Sequence, residues 1–81
     1  MERVREPIRT AAIFTPGQGV KPVWFEWRRR KHTVLETTYS WKEKAGNNLL
    51  LHFSVTDGEA LYELVYDSAG QSWLLNGIEA E

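Results

Sequence analysis

The sequence predicts an all-β domain of five to six antiparallel strands, curled as a meander into an SH3-like or open small barrel. Apolar and polar residues alternate over most of the chain, which places successive side chains on opposite faces of a strand. Short polar stretches rich in Gly, Asn, Asp and Pro separate the alternating segments, as turns do between antiparallel strands. No long segment carries apolar residues at helical spacing.

Length and composition indicate one small domain. A chain of 81 residues accommodates a single core, which we expect within residues 6–79, with residues 1–5 forming a frayed N-terminus. Hydrophobic residues make up 42% of the chain and include four Trp, three Tyr and three Phe, enough for such a core. The lack of cysteine excludes disulfides and thiol chemistry and is typical of a cytoplasmic protein. The apolar runs are too short to span a bilayer, so no membrane association is expected.

A β-hairpin with a charged tip is predicted for residues 22–34. Phe25 and Trp27 face the core in this prediction, and Trp24 faces the opposite side of the strand. If Arg29-Arg30 form a two-residue turn, Trp27 lies opposite His32. Such turns require positive φ, which arginine adopts with difficulty, so a longer turn from Arg28 to Lys31 is the alternative.

The segments that flank the hairpin are less regular. Residues 7–14 are predicted to form a short edge strand that places Ile8, Ala12 and Phe14 on one face. After the hairpin, Val34 has the opposite parity from Tyr39 and Trp41. A β-bulge or bend near Glu36 is therefore needed if all three side chains are to point inward.

The second half of the chain has the clearest strand pattern. A two-residue turn at Gly58-Glu59 pairs Val55 with Tyr62 and Phe53 with Leu64, so turn chemistry and apolar alternation agree on one register. The same logic gives three further pairs and one further bend: Leu51 with Tyr66, Tyr66 with Trp73, Leu64 with Leu75, and a bend at Asn76-Gly77. The predicted core comprises Phe25, Trp27, Val34, Leu51, Phe53, Val55, Tyr62, Leu64, Tyr66, Trp73 and Leu75.

Charge is distributed unevenly along the chain although the net charge is only −1. Residues 1–32 carry eight Lys or Arg and three Glu, whereas residues 33–81 carry two Lys and eight Asp or Glu. One interpretation is a basic face that binds an anionic partner. The other, which we favour at this point, is that the two halves neutralise each other across the sheet.

Several short motifs together resemble an uncharacterised family of small bacterial all-β domains. They are Glu6-Pro7, Pro22, Phe25, Trp27-Arg28, Arg30, Val34, Trp41, Tyr62-Glu63-Leu64 and Trp73-Leu74-Leu75, which span about residues 6–78. Members of that family usually have Gly at the position of Arg29. Some relatives lie at the end of proteins that resemble translesion DNA polymerases, so the resemblance implies a role linked to DNA, by analogy alone.

No catalytic, metal or cofactor site is predicted. Catalysis needs a reactive group, a base and an orienting partner that converge in a pocket. The histidines are His32, expected at the hairpin tip, and His52, expected on the outward face of its strand, and both are interpreted as ordinary surface residues. Their spacing matches no metal-binding pattern. The protein is therefore predicted not to be an enzyme.

The best candidate for a binding site combines Trp24 with the cations Arg28, Arg29, Arg30 and Lys31. Small barrels bind single strands by stacking bases on aromatic rings while Arg and Lys hold phosphates. The hypothesis is a non-catalytic accessory module for single-stranded nucleic acid or for a DNA-repair or replication protein. Against it, residues 7–14 could cover Trp24, and the cations could serve only to solubilise a turn.

Two alternative functions remain open at this stage. One is a peptide-binding or protein-interaction module whose aromatic groove is lined by Trp24, Tyr39, Trp41 and Tyr62. The other is a domain with no nucleic-acid role.

Overall fold

The computed structural model describes residues 1–80 and confirms the all-β class. Within these residues the chain forms seven antiparallel strands, more than the five to six expected. They are β1 (Glu2–Thr15), β2 (Gly19–Trp27), β3 (Arg30–Thr33), β4 (Glu36–Ala45), β5 (Asn48–Thr56), β6 (Ala60–Asp67) and β7 (Ser72–Ala80). One sheet contains them in the order β3-β2-β1-β7-β6-β5-β4, and it is open because the edge strands β3 and β4 do not pair. No helix among residues 1–80 is long and apolar enough to cross a membrane.

Strand β1 is the longest strand and lies in the middle of the sheet, which corrects the short edge strand predicted for residues 7–14. Its first half pairs with β7, from Glu2 opposite Ile78 to Ile8 opposite Trp73. Its second half, from Arg9 to Thr15, pairs with β2. The segment that we expected to be frayed, residues 1–5, thus enters the sheet at Glu2. The prediction of a short strand here is wrong because β1 is long enough to pair with two neighbours, first with β7 and then with β2.

The two parts of the sheet carry the core between them. We call residues 9–33 the basic hairpin unit, which contains the second half of β1 with β2 and β3, and we call β4–β7 the meander. Phe25 of the hairpin unit is fully buried and makes an edge-to-face contact with Tyr62 of the meander, with ring centroids 5.1 Å apart. Seven of the eleven predicted core residues form the buried cluster, and the other four, Trp27, Val34, Leu51 and Tyr66, pack against it.

The hairpin turn has two residues, but they are Arg28 and Arg29. Both adopt positive φ, 52° and 65°, as a type I′ turn requires. Trp27 consequently pairs with Arg30, and Phe25 pairs with His32. Neither of the two turns that we predicted occurs. The tip is one residue earlier than expected, which moves His32 one pair deeper into the sheet.

The meander follows the predicted register. The pairs Val55–Tyr62, Phe53–Leu64, Tyr66–Trp73 and Leu64–Leu75 are all present, and so is Leu51–Tyr66. The register shifts once between β6 and β7, which confirms the bend predicted at Asn76-Gly77.

The bulge expected in the arm after the hairpin is present, but its predicted effect is wrong. The register between β4 and β5 shifts between Thr37 and Tyr39. Tyr39 is 65% exposed and Trp41 is 37% exposed, so these two side chains lie on the outer face of the meander and do not point inward. Phe14, predicted to share a face with Ile8 and Ala12, is 65% exposed as well. The alternation of apolar and polar residues along one strand does not show which face of an edge strand the rest of the protein will cover.

Candidate nucleic-acid interface

Trp24 lies on the outer face of the basic hairpin unit. Its neighbours across the sheet are Ala11 in β1 and Thr33 in β3. Both side chains are small, so neither is large enough to cover the indole. It is half-buried and belongs neither to the core cluster nor to the residues packed against that cluster. Two cations lie over the ring. The Lys31 ammonium is 4.9 Å from the ring centroid, and the Arg9 guanidinium carbon is 5.6 Å away.

Two arginines of this unit are held by carboxylates of the first half of the chain. Arg9 forms an ion pair with Glu26, its cross-strand partner, at 3.0 Å. Arg28 contacts Glu6 at 3.4 Å and lies over the Trp27 ring at 4.5 Å. The Trp27 Nε1 atom donates a hydrogen bond to the same Glu6 carboxylate, so Glu6 holds Arg28 against Trp27.

The remaining cations of the tip are free of such partners. In the part of the chain that the structure describes, Arg29, Arg30 and Lys31 make no ion pair. All three residues are exposed. The predicted site therefore separates into an anchored cation, Arg28, and three exposed cations. Lys31 shares the outer face with Trp24, whereas Arg30 pairs with Trp27 and starts from the opposite face.

The charge asymmetry of the sequence becomes a spatial separation of charge in the fold. The basic hairpin unit carries six Lys or Arg residues and one carboxylate, Glu26, which gives it a net charge of +5. Among residues 1–80, no Lys or Arg of this unit forms an ion pair with the meander. Among residues 1–80, the neutralisation across the sheet that we favoured from the sequence does not involve Lys or Arg side chains. The two halves meet instead in the contact of the Met1 ammonium with Glu79 at 3.5 Å and in that of His32 with Asp57.

Two of the four non-glycine residues with positive φ among residues 1–80 lie at the charged tip. Arg28 and Arg29 both lie in the left-handed region, which costs an L-residue roughly 1–2 kcal/mol. Asn-Gly would adopt the same turn with little strain. Residues held in unfavourable backbone conformations cluster at functional sites. Sequence reasoning identified the conflict between arginine and positive φ but resolved it with the wrong turn.

His32, predicted at the surface, is instead 8% exposed and belongs to a buried polar cluster. Its Nδ1 atom is 3.0 Å from Oδ2 of Asp57, and the Tyr62 hydroxyl donates to the same oxygen at 2.9 Å. The His32 ring also stacks on Phe25, with centroids 5.0 Å apart. The cause of the misplacement is the turn, because a tip at Arg28 and Arg29 puts His32 opposite Phe25.

The Asp57 carboxylate is stabilised in its charged form. Burial raises its pKa, but hydrogen bonds from His32, from the Tyr62 hydroxyl and from two backbone N–H groups outweigh burial and lower the pKa to about 2. Its Oδ1 atom accepts those backbone bonds, from Glu59 at 2.9 Å and from Ala60 at 3.0 Å. Burial, followed by the hydrogen bond and charge of Asp57, raises the pKa of Tyr62 to about 12.

His52 lies on the outward face of β5 as predicted, but its side chain is largely covered. The imidazole stacks on Trp41 at 4.7 Å, and its Nε2 atom is 2.9 Å from a Glu43 oxygen. The Nδ1 atom is 3.6 Å from Glu63. His52 is thus part of a stacked and hydrogen-bonded surface, which the sequence did not indicate.

In the described part of the chain, each histidine has one buried ring nitrogen without a hydrogen-bond partner, Nε2 in His32 and Nδ1 in His52. His32 connects β3 to the β5–β6 turn. Within residues 1–80, no group of three or more His, Cys, Asp or Glu side chains is arranged to hold a metal ion.

The four aromatic residues proposed to line a peptide groove do not meet. Trp24 lies on the outer face of the basic hairpin unit, Tyr62 is in the core, and Tyr39 and Trp41 contact each other on the outer face of the meander. A groove built from all four residues is therefore excluded.

No family model, curated protein or solved structure matches the chain. The resemblance to a family of bacterial domains, and the link to DNA that it implies, stay predictions.

Proposed function

We propose that the protein is a non-catalytic accessory module that binds single-stranded nucleic acid on the outer face of the basic hairpin unit. The observation that carries this proposal is the arrangement at Trp24, where a half-buried indole has the Lys31 ammonium over its ring, on a unit of net charge +5 whose tip also exposes Arg29 and Arg30. Stacking surface and phosphate-binding charge are the two components that sequence-independent binding of single strands requires.

The indole is available to a base at low cost. A cation over an exposed aromatic ring contributes about 0.5–1 kcal/mol, whereas stacking of a base contributes roughly 1–3 kcal/mol. A base that stacks on Trp24 would displace Lys31 from the ring, and the released ammonium could then bind a neighbouring phosphate. Arg9, held by Glu26, would remain at the other side of the ring.

The number of free cations sets the expected salt dependence. If Arg29, Arg30 and Lys31 each neutralise one phosphate, the logarithm of affinity falls with the logarithm of salt concentration with a slope of about −2. Counting Arg28 as well would give about −3, but Arg28 is held by Glu6.

The test is fluorescence anisotropy with a labelled oligothymidylate at several salt concentrations. The double variant Arg29→Glu/Arg30→Glu and the variant Trp24→Ala should each weaken binding by tenfold or more. Trp24→Phe should retain most of the affinity because a smaller ring still stacks. Equal, negligible binding by the wild type and the double variant would remove the proposal.

A matched control separates this site from non-specific charge. The double variant Arg3→Glu/Lys44→Glu changes the net charge by the same amount outside the basic hairpin unit. It should retain at least half of the wild-type affinity. If it weakens binding as much as Arg29→Glu/Arg30→Glu does, the oligonucleotide responds to overall charge and the proposed site is wrong.

A further inference from the structure

The outer face of the meander is a second exposed surface of the sheet, on the side of the strands that faces away from the core. Cross-strand pairs build one apolar and aromatic row over four strands of this face, from Trp41 through His52 and Val65 to Leu74. Val65 is 7% exposed although it does not belong to the core cluster. Its neighbours on the outer face therefore cover it, while Trp41 at the end of the row stays exposed.

Two aromatic rings form the most exposed part of this face. Tyr39 and Trp41 lie next to each other on β4, with ring centroids 5.4 Å apart and ring planes inclined by 34°. The His52 imidazole stacks on the Trp41 indole, which restricts the orientation of the indole. Aromatic side chains are enriched where proteins bind partners, so this pair marks a candidate contact surface.

The register separates the charges of the meander between its two faces. Lys42 pairs with Leu51, which packs against the core, and Lys44 has the same parity, so both lysines lie on the core side of the sheet. In the described strands β4–β7 the outer face carries no Lys or Arg. We call it the acidic face, because the register places five carboxylates on it, from Glu36, Glu43, Glu63, Asp67 and Glu79.

Negative charge borders the aromatic pair along its own strand. Glu36 and Glu43 lie on either side of Tyr39 and Trp41 on β4. An arginine side chain fits this combination, because its guanidinium stacks on an aromatic ring while its N–H groups donate to carboxylates. Two acidic faces placed against each other would bring like charges together, so charge disfavours a face-to-face pair. The acidic face therefore favours a partner that presents exposed arginines.

The basic hairpin unit of a second copy is a partner of this kind. Its tip exposes Arg29, Arg30 and Lys31, which make no ion pair within residues 1–80. Its net charge of +5 is equal and opposite to that of residues 34–80, where seven carboxylates and two lysines give −5. No Lys or Arg of the unit forms an ion pair with the meander of its own molecule, so the attraction is left for another copy.

We propose that copies of this chain associate head to tail, with the arginine tip of one copy on the acidic face of the next. A guanidinium of the tip stacks on the Tyr39–Trp41 pair and donates to the carboxylates that border it. The contact joins two different surfaces and is therefore heterologous. This proposal goes beyond the nucleic-acid proposal, with which it shares the tip.

The first experiment uses the wild-type chain. Because exposed ion pairs and cation–π contacts are individually weak, sedimentation is measured up to about 1 mM protein at low salt. The average mass should rise with protein concentration and fall when salt is added, because salt screens exposed charges. On dilution, the amide shifts measured by NMR should change at residues 28–31 and 36–43. A monomer at every concentration, or association that is insensitive to salt, would overturn the proposal.

Two one-sided variants test the contact itself. Arg29→Gln/Arg30→Gln removes charge from the tip and keeps the acidic face, whereas Glu36→Gln/Glu43→Gln does the reverse. Each variant alone should self-associate about tenfold more weakly than wild type. A mixture should form the complex again, with shifts in the acidic face of the tip variant and in the tip of the face variant. Shifts in the acidic faces of both variants would identify face-to-face packing, and no complex in the mixture would contradict the head-to-tail contact.

A matched control separates the acidic face from overall charge. Glu2→Gln/Glu59→Gln removes the same charge from two exposed residues that lie outside that face. It should self-associate as wild type does. If it weakens association as much as Glu36→Gln/Glu43→Gln, overall charge drives the association and the assigned face is wrong. None of these measurements uses an oligonucleotide, so they succeed or fail independently of the proposed nucleic-acid site.

Discussion

Nδ1 of His32 lies 3.0 Å from Oδ2 of Asp57, and this contact joins the basic hairpin unit to the meander through groups that are both almost fully buried. His32 is supplied by β3, whereas Asp57 begins the turn between β5 and β6. The same carboxylate accepts the Tyr62 hydroxyl and caps two backbone N–H groups of that turn. Asp57 therefore connects the hairpin that carries the proposed nucleic-acid site to the part of the fold whose register is most regular.

The free energy of unfolding should fall with acid because of Asp57. Its pKa is about 2 in the folded protein and near its ordinary value of 3.8 when unfolded. The stabilisation is present above pH 4 and is lost as pH falls toward 2, because protons then bind the unfolded state first. The lowered pKa corresponds to about 2 kcal/mol at neutral pH.

Asp57→Asn tests this assignment. The amide keeps an oxygen for the backbone N–H groups but removes the charge. The variant should be less stable than wild type by about 2–3 kcal/mol at pH 7. The difference should shrink toward pH 2. Urea denaturation at both pH values measures it, and a difference that is equal at pH 7 and pH 2 would contradict the charge-dependent role.

The protein should be less stable with arginine at position 29 of the hairpin turn than with glycine there. Arg29→Gly relieves positive φ, so the free energy of unfolding should rise by about 0.5–1 kcal/mol after the entropy cost of glycine is subtracted. Oligonucleotide affinity should fall at the same time because one free cation is lost. Gln71→Gly is the matched control, since Gln71 has a φ of 52° in the β6–β7 turn. It should stabilise the protein by a similar amount and leave the affinity unchanged.

Adjacent residues of β2 should differ sharply in their effect on stability. Phe25 is fully buried between His32 and Tyr62, so Phe25→Ala should cost about 3–5 kcal/mol. Trp24 faces outward, and Trp24→Ala should cost about 1 kcal/mol or less. Chemical denaturation of both variants measures the contrast. A comparable loss for Trp24→Ala would show that its side chain supports the core, and its effect on binding could then not be assigned to stacking.

Gly77 is predicted to tolerate no side chain. A Cβ atom there would lie 2.9 Å from the Glu2 carbonyl oxygen and 2.8 Å from the Met1 sulfur. The methionine can move, but the carbonyl belongs to the β1–β7 ladder. Gly77→Ala should therefore destabilise the protein by about 1–3 kcal/mol. Gly70→Ala, whose Cβ would meet ordinary contacts of 3.4 Å or more, should be close to neutral in the same thermal or urea denaturation.

Local patterns predicted the meander because its register depends on neighbours in sequence. The turn after Asp57 sets the pairing of Val55 with Tyr62, and side-chain alternation then carries the register along both strands. The bulge after Thr37 was also deducible, because two sets of apolar residues had incompatible parity. Which face of β4 would be covered was not deducible, because that depends on strands that lie far away in sequence.

The candidate site was predicted in part for the same reason. The proximity of Trp24 to the cations of the tip follows from their positions in one hairpin. The capture of Arg28 by Glu6, and the pairing of Arg9 with Glu26, required β1 to run alongside β2. The predicted strand covered only residues 7–14, so it did not place the Glu6 carboxylate beside Arg28. The sequence therefore predicted four equivalent cations at the tip, whereas in the fold Arg28 is paired and three cations are not.

The amino-acid sequence by itself determined that the chain is all-β, which residues form its core, and how the strands of the second half pair. These features follow from side-chain alternation and turn chemistry, which act between residues close in sequence. The tertiary structure alone decided that β1 is shared between two parts of the sheet, that His32 is buried against Asp57, and that the sheet stays open beside β4. Each of these depends on contacts between segments that are distant in sequence, and no local preference of the backbone specifies which distant segment will be the partner.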